Sequence, residues 1–461
     1  MNKRISDVKV DQTKIDLELA QLEGWYTDIQ SIFQMNYLDS KNGNKLLDSR
    51  GNFEQPVHSW YVLKEAYSFE LPKWVLHKLR DTYNADISYA LDPFIGCGTT
   101  GVVLSSQNIQ VDGIEYNPFI RFVASTKASS GKLDPNCISK AINNLGKSPP
   151  KGSRFTWPKL STFHNTQYFR PSDIRYLRYI LQEIDEKTSC ETTKDFLKLG
   201  VAKSLDQISN LRKDGRALRY VKKAQRPTAP SLLPLIWNDM LSAISIDQMP
   251  KAEFQVFGGN AKDLKIIWPK DIDAYKNLSV SSNTYDLILY SPPYLNNFDY
   301  TEIYKLELWM LDFVSTYEEW ADLRKSTIRS HHSLKVDSTN ILKTDRDTKT
   351  ISEWIDFMVS SNCLTGYAAE NMPPVINAYF DDMYLSLKEQ FRVLKPGGFL
   401  VYVVANSRHA HLPIATDIIL GKLAQIVGFE PLELTVLKKR NGRTRQKNFL
   451  RESAIFMRKP T

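Results

Sequence analysis

Residues 89–115 restrict the fold more than any other stretch of the chain. Tyr89-Ala90-Leu91-Asp92 reads as a short strand, Thr99 to Gln107 as a helix and Val111 to Glu115 as a second strand. A glycine-bearing turn, 93–98, joins the first strand to the helix. Strand, glycine turn, helix and a strand ending in an acid open a nucleotide-type α/β domain with parallel strands. Gly96 and Gly98 permit close backbone approach and unusual φ. The helix start presents unpaired N–H groups, which receive a carboxylate as readily as a phosphate. Glu115, seventeen positions beyond Gly98, suits hydrogen bonding to ribose hydroxyls. Gly101 completes a Gly-x-Gly-x-x-Gly spacing from Gly96, so a dinucleotide site is a rival reading. The prefix Asp92-Pro93-Phe94 argues against it, because dinucleotide turns begin with glycine directly after the strand.

The α/β pattern is twice interrupted. Ile15 to Ile32 is periodic enough for an amphipathic helix, and 39–56 has loop composition. Residues 71–83 read as a helix. Residues 130–250 carry helical stretches (174–186, 192–211, 233–245) and no clear run of parallel strands. Strands resume at 254–257 and 285–290. A polar, charged stretch at 315–370 follows, then a helix at 375–394, a strand at 399–405, a helix at 413–427 and strands near 432–438 and 453–458. The expected architecture is α/β, a Rossmann-like core with a mostly parallel seven-stranded sheet, helices on both faces and a largely helical insertion. The expected division is an N-terminal helical and loop segment at 1–55 and a first core part at 56–129. The helical insertion at 130–250 and a second core part at 251–461, itself interrupted at about 315–370, complete it.

The 461 residues are 42% hydrophobic and 11% aromatic, enough to bury a large core. Sixty Lys and Arg against 52 Asp and Glu give a net charge of +8, which makes a polyanionic partner plausible and says nothing about fold. Cys97, Cys137, Cys190 and Cys363 lack metal-ligand spacing, so neither a zinc site nor a disulfide framework is expected. The N-terminus lacks a signal-peptide apolar run, and no stretch approaches eighteen apolar residues. A cytoplasmic protein without a membrane span is expected.

Ser291-Pro292-Pro293-Tyr294 directly follows the buried-strand pattern of 286–290. An exocyclic amino group on a base is a poor nucleophile, because its lone pair is delocalised into the ring. Acceptors for both of its N–H bonds favour a more pyramidal nitrogen. Ser291 Oγ and the Pro292 carbonyl are candidate acceptors, the prolines fix φ, and Tyr294 can stack on the base. Asn296, Asn297, Asp299 and Tyr300 follow and either line the pocket or cap the next helix.

The nonapeptide Asp92-Pro93-Phe94-Ile95-Gly96-Cys97-Gly98-Thr99-Thr100 resembles the S-adenosylmethionine-binding motif of amino-directed DNA methyltransferases, and Ser291-Pro292-Pro293-Tyr294 resembles their catalytic motif. Gly113 to Pro118 is similar to the family's ribose-binding strand end. Trp60 to Leu71, with Lys64, resembles the segment beside the donor's methionine moiety. Gly259-Asn260-Ala261-Lys262-Asp263-Leu264 is similar to the third motif, with Asn260 where the family usually has an acid. Val393 to Gly398 and Arg451 to Phe456 extend the likeness. The resemblance implies S-adenosylmethionine as cofactor, held by Lys64, Asp92, Pro93, Phe94, Gly96, Gly98, Thr99, Thr100, Glu115, Asn260 and Ala261. It implies catalysis at Ser291 to Tyr294 without a metal, and double-stranded DNA as partner, with a cognate restriction endonuclease or defence-system proteins as possible associates. A leading serine is commoner among cytosine-N4 enzymes than among adenine-N6 enzymes, which favours N4.

Residues 211–223 are densely basic, with Tyr220 interleaved. Arg212, Lys213, Arg216, Arg219, Lys222 and Lys223 are candidate DNA contacts, as are Arg443 and Arg445 in a second basic stretch. Residues 324–335, with Arg324, Lys325, Arg329, His331 and His332, form a third. Little chain follows the last expected strand, so target recognition is assigned first to the 130–250 insertion and second to 315–370. The expectation is a site-specific DNA methyltransferase acting on a flipped base, the modification enzyme of a restriction–modification or defence system. Adenine-N6 transfer, an RNA amino-methyltransferase and a non-catalytic DNA-recognition subunit are the alternatives.

Overall fold

Parallel pairing around one central strand organises the protein. In the computed structural model, residues 11–461 are described except 153, 156–163, 215–216, 245–248, 269–278, 333–339 and 440–448. The strands are β1 (Gln34–Tyr37), β2 (Tyr89–Asp92), β3 (Gln110–Glu115), β4 (Leu211–Asp214), β5 (Ala217–Tyr220), β6 (Phe254–Asn260), β7 (Asp263–Trp268), β8 (Tyr285–Tyr290), β9 (Leu394–Ala405), β10 (Ser407–His409), β11 (Leu412–Ile414), β12 (Glu430–Lys439) and β13 (Arg451–Arg458). Nine form one sheet in the order β1-β12-β13-β9-β8-β2-β3-β6-β7. β2 lies between β3 and β8 and runs parallel to both, with Leu91 opposite Asp112 and Ile288. From β2 the chain winds one way through β3 to β6 and the other way through β8 to β9. The crevice between β2 and β8 is therefore the topological switch point, where ligands of open α/β sheets bind at the carboxyl ends of the strands.

Both sheet faces are covered, which is why the central strands read as apolar runs rather than alternations. Leu287, Leu289, Val401 and Val403 face one core; Ile288, Tyr290, Leu400, Tyr402 and Val404 face the other. Full burial of each such side chain is worth about 1.5–3 kcal/mol. The first core takes up helices Glu70–Tyr83 and Pro118–Ala128, together with Pro171–Lys187, Glu191–Ile208 and Ala229–Ser242 of the inserted stretch. The second takes up helices Gln12–Gln30, Lys349–Ser360, Tyr367–Val393 and Thr416–Val427.

Three features depart from the sequence reading. The sheet has nine strands rather than seven: β1 adds parallel to β12 and β7 adds antiparallel to β6. The polar Gln34-Met35-Asn36-Tyr37 carries no strand signature, and its half-exposed edge position explains why. Residues 40–47 form a helix capped by Asp39, despite their loop composition. The basic stretch near 211–220, for which the sequence suggests no strand, forms the antiparallel pair β4–β5 of a hairpin.

Candidate active site

Asp92 ends β2 and turns its buried carboxyl back onto the chain. It accepts a hydrogen bond from the Phe94 N–H at 2.9 Å and another from Thr100 Oγ1, tying the turn to the first residues of helix Thr99–Ser106. Burial pushes its pKa up to about 7. Gly96 (φ +52°) and Gly98 (φ +86°) are left-handed, and a Cβ on Gly98 would lie 3.4 Å from the Ala124 backbone. No side chain caps the helix that follows, so its first N–H groups remain for a ligand.

Three further strand ends converge on this turn. Glu115 closes β3 and accepts from the Asn117 N–H at 2.8 Å; burial pushes its pKa up to about 7. Asn260 closes β6; its Nδ2 donates to the Ser326 carbonyl at 2.8 Å and its Oδ1 accepts from the Lys262 N–H. β8 delivers Ser291 to Tyr294, with Ser291 Oγ donating to Tyr294 Oη at 3.2 Å and Tyr294 Oη donating to Glu452 Oε1 at 2.8 Å. Burial, with the Glu452 carboxylate beside it, holds the Tyr294 phenol well above its ordinary pKa.

These ends share one cavity of about 380 Å³. Of the residues singled out by sequence, Lys64, Pro93, Phe94, Gly96, Thr99, Glu115, Asn260, Ala261 and Ser291 to Tyr294 line it. Asp92, Gly98 and Thr100 are not among the lining residues and shape the turn behind the wall. Asn296 and Tyr300 also line the cavity, whereas Asp299 caps helix Tyr300–Ile303 and pairs with Arg324. A cavity of this size suits a ligand of nucleoside dimensions. Its free helix N–H groups suit the carboxylate of a methionine moiety, and the Glu115 carboxylate suits a ribose diol. The residues present therefore fit S-adenosylmethionine.

Sequence reasoning missed several wall residues. Glu65 receives a hydrogen bond from Tyr304 Oη at 2.9 Å, and Tyr67 bonds Thr100; both line the cavity, as do Ser326, Thr327, Ile328 and Glu452. Ser326 to Ile328 come from the polar stretch at 315–370, inside the third basic stretch but without a role assigned to them there. Glu452 stood inside a recognised stretch without a role.

The hairpin corrects part of the basic-patch expectation. Period-two alternation sends Leu211 and Lys213 inward and Arg212 outward. Lys213 is 7% exposed, pairs with Glu307, and donates to Tyr61 Oη at 2.9 Å; it is a buried anchor, not an outward DNA contact. Lys223 likewise donates to the carbonyls of Asp206 and Leu211 and braces the hairpin base. Lys64 donates to the Lys213 carbonyl, so its ammonium joins the cavity wall to the hairpin. Arg212, Arg219 and Lys222 are exposed. Arg212 lies opposite Arg219 across the hairpin, and Arg219 pairs with Asp214 at 3.1 Å. Arg216, Arg443 and Arg445 fall outside the described residues. In the third basic stretch, Arg324 pairs with Asp299 and Arg329 with Asp382, while His331 is buried beside Asp299. These side chains hold the fold together instead of facing DNA.

No family model matches the chain. It is 24% identical over 495 residues to the Type II methyltransferase M.AvaI of a Nostoc species, covering 98% of each chain. It is 25% identical over 457 residues to the Type II methyltransferase M.BsoBI of Geobacillus stearothermophilus, covering 90% of this chain and 88% of the relative. Among solved structures, a SAM-dependent methyltransferase of Methanosarcina mazei aligns over 84% of this chain and 97% of its own, at 12% identity and a TM-score of 0.28. Among the described residues, no helix is long and apolar enough to cross a membrane. Along nearly its whole length the chain is thus similar to Type II methyltransferases, and it has a Rossmann-like sheet whose switch-point cavity joins the glycine turn to Ser291-Pro292-Pro293-Tyr294 and fits S-adenosylmethionine.

Proposed function

We propose that the chain is a site-specific DNA methyltransferase that methylates the exocyclic amino group of a flipped base, cytosine N4 in the first place. In the cell it serves as the cytoplasmic modification enzyme beside a cognate restriction endonuclease. The observation that carries this reading is the single cavity at the carboxyl ends of β2 and β8, which puts the donor turn and Ser291 to Tyr294 within one enclosure. Its relatives' designation as Type II methyltransferases supports it.

The bound donor supplies a methyl group on a sulfonium centre. The protein's part is to hold and desolvate the amine. Ser291 Oγ and the Pro292 carbonyl accept from its two N–H bonds, and Tyr294 stacks on the base in place of its lost neighbours. Rate comes from in-line positioning, without a covalent enzyme intermediate. Flipping the base costs a few kcal/mol, offset by protein contacts to the duplex. Arg212 and Arg219 are suited to that contact. Like charges placed opposite each other on a hairpin are destabilising by themselves, and a phosphate between them reverses the sign. Ser291 as the leading residue favours cytosine over adenine.

The test is methyl transfer from labelled S-adenosylmethionine to duplex DNA or RNA, followed by digestion to nucleosides. N4-methylcytosine in DNA is the expected product. N6-methyladenine moves the target to the other amine, and label in RNA alone or in neither nucleic acid overturns the reading.

A further inference from the structure

Ser291, Tyr294 and Glu452 form a continuous hydrogen-bonded chain from the cavity to the sheet's antiparallel strand β13. Ser291 Oγ donates to Tyr294 Oη, and Tyr294 Oη donates to Glu452 Oε1. All three residues line the cavity. An ionised carboxylate only accepts, so it fixes the direction of the whole chain. Tyr294 must give its proton toward Glu452, its oxygen then accepts from Ser291, and Ser291 Oγ turns its lone pairs to the cavity. That is the orientation in which Ser291 can take a hydrogen bond from an amine.

The chemistry leaves a proton to dispose of. When the amino nitrogen forms its bond to the methyl carbon, the carbon–sulfur bond breaks and its electron pair goes to sulfur. The nitrogen then carries a positive charge and one proton too many. We propose that Glu452 is the terminal acceptor of that proton, reached through Ser291 and Tyr294. The methylated nitrogen gives a proton to Ser291 Oγ, the Ser291 hydroxyl proton passes to Tyr294 Oη, and the Tyr294 proton passes to the Glu452 carboxylate. The product leaves neutral, both hydroxyls keep one proton each, and Glu452 ends as a carboxylic acid that later releases its proton to solvent. Burial keeps the Tyr294 phenol protonated between turnovers, as a relay requires. Glu452 acts through Tyr294 and Ser291 and is therefore a positioning residue of the reaction. This inference rests on the amine-methylation reading above.

The experiment compares the full chain with Glu452→Gln, which keeps shape and an acceptor oxygen but cannot take a proton. Equilibrium binding of S-adenosylmethionine and of target DNA is measured separately from the single-turnover methylation rate. The expected result is unchanged binding with a rate lowered about 100-fold or more, the scale of a lost proton acceptor. Tyr294→Phe keeps the ring and breaks the relay, so it lowers the rate to the same extent, and the double variant is no slower than either single one. Glu452→Asp restores part of the loss. An infrared difference spectrum after one turnover shows a protonated-carboxyl band that Glu452→Gln lacks. A Glu452→Gln enzyme with wild-type rate overturns the proposal, as do additive losses in the double variant, or loss of donor and DNA binding together with rate. If the wild-type chain methylates no amine at all, the function itself falls, and that outcome is read before any variant is made.

Discussion

At the scale of single residues, burial decides which charge state meets the donor. Glu115 has an ordinary pKa of 4.5 and stands at about 7 at the end of β3, chiefly because it is desolvated. Below pH 7 the donor-free protein therefore holds a proton there. If the donor's ribose hydroxyls donate to this carboxylate, as proposed, donor binding favours the anion and lowers that pKa. The sign follows: binding below pH 7 releases a proton, and donor affinity rises with pH until about 7 and then levels. The slope is at most about tenfold per pH unit for one group. Calorimetry in buffers of different ionisation enthalpy reads the release directly. Glu115→Gln should abolish it, and an affinity flat from pH 5.5 to 8 would remove Glu115 from the ribose site. Glu115 was legible in sequence because a strand-end acid follows a glycine turn at short range. Glu452 was not, because its partner Tyr294 lies 158 positions away and only the sheet brings the two together.

At the scale of elements, the glycine turn and the double proline announced themselves through backbone demands, whereas the hairpin β4–β5 did not. Its basic residues and Gly215 resemble a solvated loop, and only the strand period reveals that Lys213 faces inward. There it meets Glu307, which is fully buried, together with the Tyr61 and Tyr304 rings at 5.4 and 4.7 Å. Lys213→Met should leave the Glu307 carboxylate without its charge partner, held by the Tyr61 hydroxyl alone, and cost about 3–5 kcal/mol, as breakage of a buried pair does. Glu307→Met added to it should recover most of that loss, since two apolar side chains of similar volume need no desolvated charge. Urea midpoints of the two variants check this. A single variant as stable as wild type would mean the pair contributes nothing. The same two variants separate anchoring from DNA contact, because a buried ammonium has no phosphate to lose.

At the scale of the whole molecule, the order of motifs along the chain indicated an interrupted α/β core, and the sheet order gives the reason the interruptions are tolerated. Both lie in crossover connections rather than within the central strands, 130–250 between β3 and β6 and 315–370 between β8 and β9: helices of 130–250 fill the first core, and 315–370 lends Ser326 to Ile328 to the cavity wall. The N-terminal helix could be read from its periodicity but not placed. Its Ile15 and Leu22 are fully buried, and Tyr26 Oη donates to the Pro413 carbonyl at 2.9 Å, contacts that no local pattern encodes. The net charge of +8 is equally uninformative until the cations are sorted by direction. Lys213, Arg324, Arg329 and Arg451 face inward against Glu307, Asp299, Asp382 and Asp417. Arg212, Arg219 and Lys222 face solvent. If DNA is the partner, the logarithm of its affinity falls linearly with the logarithm of salt concentration, by about 0.9 for each phosphate neutralised. Arg212→Ala and Arg219→Ala should each flatten that slope by about 0.9, and to the same degree on target and non-target duplexes. A slope unchanged by either variant would move the phosphate contacts off the hairpin. A loss confined to the target duplex would make the arginine a reader of bases, because phosphate contacts carry no sequence information and base-edge contacts do.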